Sequence, residues 1–158
     1  MSTSTDGQIC YGVLFPEDYE FPWENEEGEG IEDWWLYKVN KFPRPDFYLP
    51  DGEITRENPY KPDSTPEQRE TYWSARSKHQ KENPPPVVLV NAQYIDAPLY
   101  ILAIPSSCQY ASRGEPQRFD PGALTVTNAQ VNDLLNFCKV YELEYEGEPG
   151  WFLSSYWG

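Results

Sequence analysis

Two nearly continuous apolar runs lie close together in the chain, Val87–Asn91 ("VVLVN") and Leu99–Ile104 ("LYILAI"), with a short turn between them. Runs without polar alternation are expected of strands covered on both faces. This hairpin therefore belongs inside a sheet, and the rest of the chain has to supply its neighbours and its cover. Neighbouring strands are readable near either end. In "QICYGVLF", Ile9, Tyr11, Val13 and Phe15 alternate with Cys10, Gly12 and Leu14, the two-residue period of a strand. The terminal "GWFLSSYWG" alternates likewise, with Trp151, Leu153, Ser155 and Trp157 against Phe152, Ser154 and Tyr156.

Helices are marked by their starts. In "STPEQRE", Thr65 can cap, Pro66 suits the first helical position and Gln68 completes a capping box. The apolar stripe that follows is thin (Tyr72, Trp73, Ala75), so this helix is expected on the surface with one aromatic edge docked. A second capping box, Thr127 to Gln130, opens an amphipathic helix whose stripe is Val131, Leu134, Leu135, Cys138 and Tyr141. "IEDWWLYKV" has Ile31, Trp34, Trp35 and Val39 at helical spacing, with Glu32 and Asp33 in the first turn, where the macrodipole favours carboxylates. Residues 41–62 are rich in proline and aromatics without a period and read as an ordered surface loop. "SSCQYASRGEPQRFDPG" reads as another loop, followed by a short extended piece over Ala123–Val126.

The resulting order is strand, helix, strand, strand, helix, strand. The expected fold is α+β: one domain over 1–158, an antiparallel or mixed sheet with helices on one face. Its nearest scheme is the ferredoxin-like β-α-β-β-α-β, carrying a long insertion at about 41–86.

Composition limits the function. The chain has 158 residues, 16% of them aromatic, and a formal net charge of −14 from 26 acidic and 12 basic side chains. Such a surface repels nucleic-acid phosphates and anionic membranes alike. A basic protein, or a protein that itself binds nucleic acid, would be steered in. Cys10, Cys108 and Cys138 are odd in number and far apart in sequence, without C-x-x-C spacing, which suits reduced thiols in or near a core. "MSTSTDGQ" has neither a basic n-region nor an apolar h-region. With no membrane-length apolar run, the expectation is a cytoplasmic protein without a signal peptide.

The densest charge feature is "FPWENEEGEGIEDWW", Phe21–Trp35, with six carboxylates and no positive charge. It fails as an EF-hand in both registers. Gly28 at loop position six places Trp23 at the first ligand position, and Gly30 there places Leu36 at the twelfth. No glycine-rich phosphate cradle is present. The single histidine, His79, lies among Arg76, Lys78 and Lys81 on a polar helix, and no serine has nucleophile-elbow context. The acids are too many to nominate a glycosidase pair. No catalytic residue, metal ligand or cofactor site is therefore assigned. Candidate partner-contact residues are Trp23, Glu24, Glu26, Glu27, Glu29, Glu32 and Asp33, with Trp34 and Trp35 facing a core.

"YGVLFPEDYEFPWENEEGEGIEDWW", "APLYILAIPSS", "ASRGEPQRFDP" and "WFLSSYWG" together resemble small acidic proteins of unassigned function from tailed bacteriophages and their prophages, over nearly the whole chain. The resemblance implies the cytoplasm of an infected bacterium and a non-enzymatic accessory protein that occupies a host protein. In its sharpest form the carboxylates stand in for phosphates and block a nucleic-acid-binding site. The alternatives are a carboxylate- or metal-dependent hydrolase, and a structural or assembly protein whose acidity serves solubility.

Overall fold

The computed structural model describes residues 5–24, 30–49, 59–93 and 98–157, with the side chains of Thr5, Tyr156 and Trp157 excepted. The fold is α+β, a five-stranded antiparallel sheet with three helices. The chain clusters as two compact units, residues 1–28 with 86–158, and residues 29–85. The second unit is the expected insertion, but it starts earlier and takes the first helix with it.

In the first unit, strand β1 (Thr5–Leu14) is central. Strand β5 (Glu146–Trp157) pairs along one edge of β1, from Thr5↔Trp157 to Leu14↔Glu146. The other edge is shared. Strand β3 (Tyr100–Ala103) takes Gly12–Leu14, and β4 (Gln109–Ala111) takes Gly7–Ile9. Strand β2 (Val88–Asn91) pairs outside β3. All neighbours are antiparallel.

Strands β3 and β4 thus act as one strand broken by a 3-10 turn at Pro105–Ser107. Sequence reading placed residues 106–122 in a loop and missed β4. Its pairing depends on a repair that only the fold shows. At the break the Tyr11 N–H donates to Ser107 Oγ (2.9 Å), and Ser107 Oγ donates to the Ile104 carbonyl (2.6 Å). Ser107 is fully buried, so its hydroxyl replaces the backbone partner that β1 would otherwise lack. Gly12 is required where β1 meets β3. A side chain there would press on the Leu102 carbonyl and lie 2.8 Å from Ile101 Cγ2.

One face of this sheet holds an aliphatic cluster of Cys10, Val90, Ile101 and Ala103, with Leu14, Val88, Cys108 and Phe152 packed against it. Val13 and Leu102 on the opposite face are also fully buried. Helix α3 (Asn128–Val140) begins with the expected capping box and buries Leu134, Phe137 and Cys138. Gln130 Nε2 donates to Ser106 Oγ at 2.9 Å, fixing the start of α3 at the 3-10 turn. The extended piece expected at Ala123–Val126 is absent. A 3-10 turn occupies Pro121–Ala123, capped by the Asp120 carboxylate, which accepts from the Gly122 N–H.

In the second unit, α1 (Ile31–Trp34) runs directly into a π-helical turn, Trp35–Val39. The Asn40 N–H reaches back five residues to the Trp35 carbonyl (2.9 Å). Helix α2 (Pro66–Glu82) has the predicted capping box and no buried residue. The loop read as surface-pinned is held by an isolated bridge, Tyr48↔Tyr60, and by Phe47, which is buried against Tyr72 (5.4 Å) and Trp73 (6.1 Å) of α2.

Candidate functional site

The acidic run divides between the two units. Phe21–Glu24 is a turn in the first: the Glu24 N–H donates to the Phe21 carbonyl (2.9 Å), and the Phe21 N–H donates to Glu24 Oε2 (3.2 Å). This turn drives Trp23 inward. Trp23 is 1% exposed and stacks on Phe21 at 4.7 Å, so it belongs to the core and is no contact residue. Sequence reading failed here because a tryptophan among carboxylates reads as surface. Glu24 is exposed. Glu26, Glu27 and Glu29 lie outside the described residues.

Glu32 and Asp33 fall in the second unit. Glu32 is exposed on the wall of a shallow groove of about 290 Å³, beside Trp35, Lys81 and Pro84. Asp33 is engaged within the unit: it accepts a charge-assisted hydrogen bond from Arg76. Arg76 also donates through Nε to the Tyr37 hydroxyl (3.0 Å). Burial by itself would lower the Arg76 pKa, but the bonds to Tyr37 and Asp33 outweigh it and the pKa is raised. Asp33 thus anchors a structural arginine.

The first unit contains a different candidate. Leu153, at the middle of β5, is 81% exposed. It lies opposite Ile9 on β1, and Trp151, opposite Tyr11, is 36% exposed and meets that ring edge-on at 5.5 Å. Phe119 is 43% exposed. Ile9, Gln109, Tyr110, Arg118, Phe119 and Leu153 line a groove of about 360 Å³. A strand-borne leucine this exposed, with aromatic neighbours, is an apolar patch of the kind that marks contact surfaces.

The edge of the sheet adds to this. Strand β5 pairs with β1 alone, and among the described residues no strand pairs with its outer edge. Its beginning carries the usual protection of an edge: Glu146, Glu148, Pro149 and a left-handed Gly147 (φ 68°). From Trp151 onward "WFLSSYW" has no charge and no proline. The alternation in this strand was visible in the sequence, but the face left open was not.

Charge is concentrated in the same unit. Residues 1–28 and 86–158 hold three basic side chains against fifteen acidic ones, whereas residues 29–85 hold nine of the twelve basic residues. Two acidic segments of the first unit come together. The Glu144 N–H donates to the Tyr19 hydroxyl (2.9 Å), and Phe15 meets Tyr145 (6.5 Å). Exposed Glu17, Asp18 and Glu20 therefore join exposed Glu142, Glu144, Glu146 and Glu148 at one end of the sheet. Strand β5 runs from that acidic end to the apolar patch.

Among the described residues no group of three or more His, Cys, Asp or Glu side chains could hold a metal ion, and no helix is long and apolar enough to cross a membrane. His79 packs on Phe42 at 5.0 Å. No family model matches the chain, and no curated protein or solved structure matches it.

Proposed function

We propose that this chain is a non-enzymatic binding protein whose contact surface is β5, and that its partner is a basic protein that supplies an extended segment. The exposed Leu153 on an unpaired strand edge carries the reading. An added strand would satisfy the outward N–H and C=O groups of Trp151–Trp157. Its apolar side chains would bury Leu153, Trp151 and Phe119, with a leucine contributing about 2 kcal/mol when fully covered. Its lysines or arginines would meet the acidic end formed by Glu144, Glu146 and Glu148. That complementarity sets orientation and speeds encounter more than it adds affinity.

The resemblance to small acidic phage proteins makes a bacterial host protein the partner to look for, including one whose nucleic-acid site the carboxylates would occupy. The test is capture from bacterial lysate at low and high salt, with cross-linking to locate the contact. Leu153→Asp is expected to abolish capture. Changing Glu144, Glu146 and Glu148 to Gln is expected to weaken it and to flatten its salt dependence. Replacing Glu24, Glu26, Glu27 and Glu29 by Gln should leave it nearly intact. If capture survives Leu153→Asp but not the last variant, the contact surface is the acidic run and the β5 reading is wrong.

A further inference from the structure

The three cysteines are far apart in sequence, and two of them meet in the fold. β1 and β4 pair through Gly7↔Ala111, Gln8↔Tyr110 and Ile9↔Gln109. One step beyond that register lie Cys10 on β1 and Cys108 at the end of the 3-10 turn that leads into β4. The two side chains share the aliphatic cluster on one sheet face, and the Cys108 thiol donates to the Ile104 carbonyl at 3.6 Å. Residues directly opposite on antiparallel strands have Cα atoms about 4.5–5.5 Å apart. A disulfide accepts roughly 4.4–6.8 Å. Both thiols are free in this structure.

Their surroundings differ. Cys10 is 2% exposed, whereas Cys108 is half-buried and sits at the seam between the 3-10 turn and β4. The neighbouring Cys10 thiol favours the thiolate at Cys108 and brings its pKa down from 9.0 to about 7, against the opposing effect of burial. The Tyr110 hydroxyl acts in the same direction as Cys10. Cys10 is pushed upward, first by the neighbouring Cys108 and then by burial. Cys138 lies on α3, buried, and burial pushes it up to about 11.

We propose that Cys10 and Cys108 form a thiol–disulfide exchange site for low-molecular-weight disulfides, with Cys108 as the attacking thiol and Cys10 as the resolving one. In the first step the Cys108 thiolate attacks one sulfur of a small disulfide RSSR. A mixed disulfide Cys108–S–SR forms, and RS⁻ leaves. In the second step the Cys10 thiol gives its proton to RS⁻, and its sulfur attacks Cys108 Sγ. The Cys10–Cys108 disulfide closes and the second RS⁻ leaves, to be protonated by solvent. Two protein thiols are oxidised and one RSSR is reduced to two RSH. The attacking group is the less buried one with the lower pKa, and the resolving group belongs to the cluster against which it packs.

The site is tested with oxidised glutathione on the intact chain, followed by non-reducing peptide mapping and by iodoacetamide labelling rates across pH. The wild type and Cys138→Ser are expected to lose two hydrogen atoms through a Cys10–Cys108 linkage. Cys10→Ser should stop at glutathione attached to Cys108, and Cys10→Ala serves if the serine variant does not fold. Labelling of Cys108 should rise through pH 7 and, at neutral pH, exceed that of Cys138 by about ten-fold or more, in line with their thiolate fractions. A stable mixed disulfide on wild-type Cys108, a linkage through Cys138, or equal labelling of all three cysteines would overturn the assignment. The wild-type map is decisive without any variant.

Discussion

The two units use aromatic side chains in opposite ways. In the first, Phe15, Tyr19, Phe21 and Trp23 pack ring against ring, with centroids 4.7–4.9 Å apart, beside an aliphatic sheet. No lysine or arginine occurs anywhere in the first 37 residues. In the second, arginines are interleaved with the rings: Arg44 lies over Tyr37 at 4.6 Å, Arg69 over Tyr60 at 4.2 Å, and Arg76 over Trp73 at 5.4 Å. Tyr37 and Tyr72 share a hydroxyl contact of 3.3 Å, and Tyr72 donates to the Pro43 carbonyl (2.8 Å). One unit is held by excluded water, which acts without direction. The other adds oriented contacts between polar and aromatic groups to a smaller buried set of Ile31, Trp34, Leu36 and Phe47. A chain with few aliphatics can therefore build two bodies, provided that one of them spends its cations on its own rings. The first unit is left strongly negative as a result.

Substitutions should separate the two regimes. The largest effect is expected from Leu102→Ala at a fully buried sheet position, about 3 kcal/mol from lost burial plus a cavity. Hydrogen exchange would show that loss in β1, β3 and β5. Equal loss of protection in α2 would mean that the units unfold together.

Arg76→Met comes next, at about 2 kcal/mol. It removes the fork that joins Asp33 and Tyr37 and leaves Asp33 without that partner. Arg76→Lys should recover only part of this, because an ammonium cannot bond Tyr37 and Asp33 in the same plane. Full recovery, read as the urea midpoint, would reduce the role of Arg76 to bare charge. The smallest effect is that of the caps. Thr127→Ala on α3 and Thr65→Ala on α2 are each expected to cost about 1 kcal/mol, the usual value of a lost N-cap. Fraying should be confined to the helix concerned. A fall in the global transition well beyond that value would show that the cap supports more than its own helix.

What the sequence disclosed follows the range of the interactions involved. The capping boxes, the hairpin and the alternation of β1 and β5 depend on residues a few positions apart, and all of them are present. Strand β4 needs Ser107 to mend the Tyr11 N–H nearly a hundred residues away, so no local pattern announces it. The π-helical turn is equally silent, since Trp35–Val39 keeps the apolar spacing of an ordinary helix. At the candidate site the period of β5 was legible and the choice of face was not. Whether Leu153 is covered depends on where the chain leaves the sheet open. Trp23 erred the other way, because the turn at Phe21–Glu24 outweighs the polarity of its neighbours.

The pairing of β1 with β5 has a consequence in time. The central strand finds its longest partner at the far end of the sequence, Thr5 opposite Trp157. Of the five strands β1 is made first and β5 last, so one edge of β1 stays open until the other strands of the sheet have emerged. Contact order this high slows folding, because loop closure has to precede the contacts that reward it. The second unit is continuous in sequence, residues 29–85, and carries no such delay. While it waits, the nascent first unit exposes a bare strand edge, the situation in which chaperones hold chains back from aggregation.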